Sequence, residues 1–199
     1  ESINQVLSQD REKVSKGNET TAVFYSISNC QKGLKGISFG NFLIKQVANA
    51  IRTDYPNIKD FVTLSPVPGF MDWLELNNNE LFKSIDNGQF INETDEYKDD
   101  ILKNSLDYFF NSERSDKLPN DSVARFHLGN GAYLHRINFL GDLSSKALNS
   151  AAGLMVNYKY DLDKIEENHE EFFKEKNIIC SNEIQLMKKN YHKKKFKFG

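Results

Sequence analysis

Ala22-Val23-Phe24-Tyr25-Ser26-Ile27-Ser28 opens the stretch that decides the fold. It is short, apolar and rich in β-formers, so it reads as a buried strand. A glycine-rich turn follows, Gln31-Lys32-Gly33-Leu34-Lys35-Gly36-Ile37-Ser38-Phe39-Gly40. Phe42, Leu43, Val47, Ala50 and Ile51 then recur at helical spacing, with Lys45, Gln46 and Arg52 between them. That pattern predicts an amphipathic helix, and Pro56 stops it. Phe61-Val62-Thr63-Leu64-Ser65 is a second apolar strand. Pro66, Pro68 and Gly69 end it, because proline cannot donate to a sheet ladder. Strand, turn, helix, strand is the βαβ order, and short connections favour adjacent parallel strands. The turn precedes a helix, so its free N–H groups and the positive end of the helix dipole can hold an anion.

Residues 1–21 form a polar lead-in to this core. Beyond the core, Glu75 to Asp121 carries 12 Asp and Glu against 5 Lys and Arg, a local charge of −7. Within it, Tyr97 to Phe110 has apolar residues at 101, 102, 106, 109 and 110 and predicts a helix. The rest of 75–121 reads as an acidic insertion, partly loop, with asparagines clustered at 77–79. Val123-Ala124-Arg125-Phe126-His127-Leu128 alternates like a strand, Gly129-Asn130-Gly131 is a turn, and Tyr133 to Phe139 is a returning strand. This predicts a β-hairpin, with Val123, Arg125 and His127 on one face and Ala124, Phe126 and Leu128 on the other. Ser145 to Tyr160 reads as a helix running into a short extended end. Residues 166–199 read as a helical or basic tail, with six lysines between Lys188 and Lys197. The tail fits a solvated terminus better than an RNA or membrane contact.

The 199 residues suit one domain, here 22–165, with extensions. At 39% hydrophobic and 12% aromatic the chain has material for a packed core, which excludes wholesale disorder. A net charge of −2 makes it a poor general nucleic-acid binder. No apolar run approaches the roughly 20 residues of a membrane span. Cys30 and Cys180 are too few for a disulfide scaffold and fit a reducing compartment.

Three features could carry chemistry. The turn lacks the Lys-Ser/Thr ending of a mononucleotide loop and the glycine spacing of a dinucleotide fingerprint. Gly36-Ile37-Ser38 between strand and helix suits a pyrophosphate held by backbone N–H, the layout of coenzyme A sites in acyl-CoA N-acyltransferase folds. An ordinary strand-to-helix turn accounts for it equally well. His127 shares its expected face with Arg125 beside a glycine turn; a satisfied strand histidine is the alternative. Ser65 ends a strand before Pro66. It is either a turn starter or a functional hydroxyl, but Gly-x-Ser-x-Gly is absent. The spacing of the histidines and cysteines offers no zinc motif.

The segments AVFYSIS (22–28), GLKGISFGNFLIK (33–45), LSPVPGF (64–70), ARFHLGNGAYLHRINF (124–139) and GLMVNYKY (153–160) together resemble the catalytic domain of malonyl-CoA decarboxylases. The likeness runs from about residue 20 to 160 and is weakest across 75–121. It implies an α/β (α+β) fold, an acyl-CoA N-acyltransferase-like mixed sheet flanked by helices, without the family's N-terminal helical domain and the strands that precede AVFYSIS. It assigns malonyl-CoA binding to Lys35, Gly36, Ile37, Ser38, Phe39, Gly40 and Asn41. Ser65 falls on the family's proton acceptor and His127 on its proton donor. Two departures stand out. Gly33 occupies the place where this fold's loop usually opens with Gln or Arg, and Lys197-Phe198-Gly199 is not a Ser-Lys-Leu peroxisomal address.

The resemblance implies decarboxylation of malonyl-CoA to acetyl-CoA and carbon dioxide with no cofactor or metal, because the thioester carbonyl is the electron sink. It further implies a homo-oligomeric full-length protein and an intracellular setting: mitochondrial, cytoplasmic or peroxisomal. Serine has no intrinsic basicity at neutral pH, so Ser65 is expected to act chiefly as a hydrogen-bond donor while His127 supplies the proton. Alternatives are a CoA-dependent acyltransferase of the same fold and a non-catalytic CoA-binding module. Intact Ser65 and His127 argue against the module. The LSPVPGF and FHLGNGA blocks argue against the acyltransferase.

Overall fold

A computed structural model describes residues 7–10, 15, 17–25, 40–86, 89–112 and 114–195. Strand β1 (Thr21–Tyr25) leads to helix α1 (Gly40–Asp54) and strand β2 (Asp60–Pro66). β1 and β2 pair in parallel, Ala22 opposite Phe61 and Tyr25 opposite Leu64, so the expected βαβ unit is present. Residues 26–28 and the glycine-rich turn up to Phe39 lie outside the described residues. Helix α1 buries Ile44 and Ala48 and leaves Leu43 and Val47 exposed.

The acidic stretch is more helical than expected, with loop over its last described residues, 111–112 and 114–121. Helices α2 (Phe70–Asn77) and α3 (Asn79–Ile85), a 3₁₀ turn (Gln89–Glu93) and α4 (Thr94–Phe110) lead up to that loop. Leu74, Leu81, Ile85, Phe90, Ile101 and Phe109 enter the core, while the charges on these helices stay at the surface and Asp121 is buried. The asparagine cluster is a helix junction. Asn78 closes α2 through its N–H to the Leu74 carbonyl and opens α3 by accepting from the Leu81 N–H at 3.3 Å.

The expected hairpin is corrected as well. Ser122–Gly129 is helix α5, and only Tyr133–Asn138, β3, is a strand. Asp121 caps α5, its Oδ1 accepting the Ala124 N–H at 2.6 Å. The buried set is Ala124, His127 and Leu128, spaced i, i+3, i+4. Arg125 and His127 therefore do not share a strand face. The run 145–160 divides into helix α6 (Ser145–Ala151) and strand β4 (Met155–Tyr160). The expected extended end is a central strand, and Gly153 at φ 74 makes the turn before it. Helix α7 (Ile165–Glu170), a π turn (Glu171–Glu175) and helix α8 (Asn182–Lys195) follow.

The sheet order is β1-β2-β4-β3, parallel between β1 and β2 and antiparallel elsewhere. One face carries Phe61, Thr63, Ser65, Val156, Tyr158 and Tyr160, all buried in the helix-covered core. Among the described residues no helix is long and apolar enough to cross a membrane.

Candidate active site

Ser65 and His127, far apart in sequence, meet in the core. Ser65 lies at the end of β2, opposite Val156 of β4, and is 5% exposed. His127 lies in the last turn of α5 and is 3% exposed. Ser65 Oγ and His127 Nε2 are 3.1 Å apart, and His127 Nδ1 is 2.8 Å from the Tyr160 hydroxyl. Ser65 donates to Thr63 Oγ1 at 2.9 Å, and the same oxygen accepts the Tyr158 N–H at 3.0 Å. A serine hydroxyl has one proton. With that proton on Thr63, the ring must donate Nε2–H to Ser65 and accept at Nδ1 from Tyr160. The bonds thus run in one direction, from Tyr160 to His127 to Ser65 to Thr63.

Packing fixes the imidazole further. Tyr158 stacks on it at 4.8 Å and 23°, and Tyr160 and Phe126 meet it edge-on at 6.1 and 5.0 Å. Burial pushes the His127 imidazole down from its ordinary 6.5 to about 4, so the ring is neutral at pH 7. A near-neutral titration, the property that suggested histidine for proton delivery, is thus removed by the fold. Burial also pushes the Tyr160 phenol up, which keeps its proton in place.

The end of α5 is held by α7. Asn168 donates to the Gly131 carbonyl at 3.0 Å, and His169 Nδ1 lies 2.6 Å from the Gly129 carbonyl. Gly131 has φ 79, and a Cβ there would strike the Ile165 carbonyl, so glycine is required at this turn.

Of the expected binding residues, Lys35, Gly36, Ile37, Ser38 and Phe39 lie outside the described residues, while Gly40 and Asn41 open α1. Thr63, Tyr158 and Tyr160 were not singled out from sequence. Their signal is the period of two: Thr63 shares a face with Ser65, and Tyr158 shares one with Tyr160. Among the described residues no three His, Cys, Asp or Glu side chains converge as metal ligands would.

The malonyl-CoA decarboxylase C-terminal domain model matches residues 1–197. The mitochondrial malonyl-CoA decarboxylase of Anser anser anser is 35% identical over 217 residues, covering 92% of this chain and 42% of the relative. That of Rattus norvegicus is 34% identical over 85% of this chain and 41% of the relative. Solved malonyl-CoA decarboxylases from Rhodopseudomonas palustris and Agrobacterium vitis superpose with TM-scores of 0.85 and 0.86 at 43% and 44% identity. Each covers 94% of this chain, which in turn spans 46% and 49% of those structures. The chain thus spans less than half the length of these relatives, and over that span it belongs to the malonyl-CoA decarboxylase family, as a counterpart of the C-terminal domain.

Proposed function

We propose that the chain decarboxylates malonyl-CoA, and the observation that carries the reading is the buried, directional Tyr160–His127–Ser65 hydrogen-bond chain. The bond between the carboxylate and the α-carbon breaks, and its electron pair moves into a thioester enolate. A proton then adds at the α-carbon, giving acetyl-CoA and carbon dioxide. The thioester carbonyl is the electron sink, so the reading calls for no cofactor or metal.

The neutral ring suits this chemistry. A thioester enolate is basic enough to take a proton from a neutral donor, and a neutral imidazole can polarise a carbonyl. His127 gives up Nε2–H to the α-carbon while the Tyr160 O–H bonded to Nδ1 stabilises the charge left on the ring, and a proton from solvent then restores Nε2–H. Ser65 swings its hydroxyl proton from Thr63 to the charge developing on substrate. An imidazole protonated at Nε2 cannot receive the serine proton there, which favours the hydrogen-bonding role for Ser65 over activation as a nucleophile.

Coenzyme A is assigned to 35–41. This rests on the parallel β1–β2 pair and the 15-residue helix α1 beginning at Gly40, whose first N–H groups lack intrahelical partners. Gly36→Pro removes a donor and should weaken desulfo-CoA binding; unchanged affinity would move the CoA site elsewhere. The vertebrate relatives are mitochondrial and the solved relatives bacterial, and an intracellular site of action accommodates both.

The direct test is acetyl-CoA formation from malonyl-CoA, with and without amines. Product without an amine is expected. Product only with an amine would replace the reading with acyl transfer, and binding without turnover would leave a CoA-binding module.

A further inference from the structure

His127 and Ser65 are held by different elements, and their 3.1 Å approach depends on how the strap after β2 sits against the start of α5. One side chain touches both. The Tyr108 hydroxyl, from α4, donates to the Pro68 carbonyl at 2.9 Å, three residues after Ser65. The same hydroxyl lies 3.3 Å from Asp121 Oδ2, the other oxygen of the carboxyl that caps α5. The contact is fitted closely: a Cβ on Gly69 would lie 3.2 Å from the Tyr108 oxygen. The Tyr108 ring is wedged between Phe70 and Trp73 of α2, at 5.8 and 5.6 Å.

Asp121 is fully buried, and a carboxyl so placed is costly unless it has partners. Its surroundings are Tyr108 from α4, Arg125 from its own helix and Tyr158 from β4, while Asp72 of α2 faces Tyr108. Arg125 turns away to the Pro119 and Asn120 carbonyls, both at 2.7 Å. Tyr108 is thus the hydrogen-bonding side chain that reaches the second Asp121 oxygen. Burial lifts the Asp121 carboxyl to about 6. When it takes up a proton it donates to the Tyr108 oxygen, and Tyr108 commits its own proton to Pro68. The link persists in both states.

We propose that Tyr108 and Asp121 are positioning residues, a brace between the Ser65 strap and the His127 helix that sets the Ser65–His127 geometry. The proposal rests on the decarboxylase reading and touches no substrate atom itself.

The test uses the full chain. Tyr108→Phe removes one hydroxyl and keeps the ring packing. It should lower kcat about 10- to 100-fold, the cost of a small misplacement, with KM within about twofold. In a Ser65→Ala background the same change should alter kcat by less than about twofold, because residues acting through one pair are not additive. Asp121→Asn keeps an acceptor for the Ala124 N–H and a donor for Tyr108, so it should restore most of the rate lost in Asp121→Ala. A merely structural Tyr108 would lower Tm, leave kcat of the folded protein unchanged and add independently to Ser65→Ala; that result overturns the brace. If the unsubstituted chain does not decarboxylate malonyl-CoA, the functional reading fails separately. The brace is then read from the ring-proton NMR signal of His127. It should move or broaden in Tyr108→Phe and hold in Asp121→Asn; an unmoved signal in Tyr108→Phe overturns the brace.

Discussion

On the helix-covered face of the sheet, His127 is buried and both ring nitrogens are engaged, one by Ser65 and one by Tyr160. On the opposite face, His135 of β3 is half-buried beside a concavity of about 200 Å³ that Val23, Val62 and Asn157 also line. Its Nδ1 has no hydrogen-bond partner among the described residues, and Tyr133 meets its ring edge-on at 5.8 Å. The nearby charges, Lys159 and Asp60, pair with each other at 2.5 Å. Both imidazoles are pushed down, His127 by burial alone and His135 by burial helped by Lys159. A lowered pKa therefore does not pick out the site. What separates the two is geometry: His127 is fixed at both nitrogens and touches a hydroxyl, whereas Nδ1 of His135 meets no partner among the described residues.

Substitution should separate the two histidines most widely. His127→Asn should lower malonyl-CoA turnover about 10²- to 10⁴-fold while leaving CoA affinity intact. His135→Asn should change turnover by no more than about twofold. Equal losses in steady-state kinetics would mean the sheet faces are not divided as described, and joint loss of CoA binding would make His127 a folding residue.

The next largest effect belongs to Ser65. Ser65→Ala should lower kcat about 10²- to 10³-fold, the cost of one oxyanion donor. Ser65→Thr, which keeps the hydroxyl, should retain part of the rate. A loss as deep as that of His127→Asn, with none recovered by threonine, would point to a covalent role instead.

A smaller effect falls on stability. Unfolded His127 takes up a proton near 6.5 and folded His127 only near 4, so this group destabilises the fold as pH falls through that window. Asp121 works the other way. Its folded carboxyl takes up a proton near 6 and its unfolded one near 3.8, so this group stabilises the fold as pH falls from 6 towards 4. Each is worth about 3 kcal/mol, and the two nearly cancel. Urea melts at pH 4.5 and 6.5 should show His127→Asn more stable at the lower pH and Asp121→Asn more stable at the higher. The same pH trend in both variants would refute the opposition. His135 is also pushed down, so its replacement should tilt the trend in the same direction as His127→Asn.

Much of the active face was legible in the sequence and the rest was not, for physical reasons. The βαβ unit showed because an apolar strand of period two and a helix of period 3.6 are long enough to distinguish. Val123 to Leu128 is only six residues, over which a helix and a strand look alike. The deciding signals flank it: Asp121 as an N-cap and Gly131 as the stop. The acidic stretch misled because charge reports which face is wet, not whether a helix carries it, and Asn78 served as a cap between two helices. Ser65 and His127 were candidates from their sequence settings, their roles came from a family likeness, and their contact is a tertiary fact. Tyr160 joined them because β4 lies beside β2, with Tyr160 opposite Phe61.

In the proposed reaction a buried, neutral His127, chained to Tyr160 and Ser65, protonates the enolate. The most direct measurement is kcat/KM for acetyl-CoA formation from malonyl-CoA between pH 4 and 8. The account predicts a flat profile from about pH 5.5 upward, because burial holds His127 neutral with Nε2–H in place throughout that range. A step centred near 6.5, where an unburied histidine titrates, would contradict it, as would the absence of acetyl-CoA at every pH.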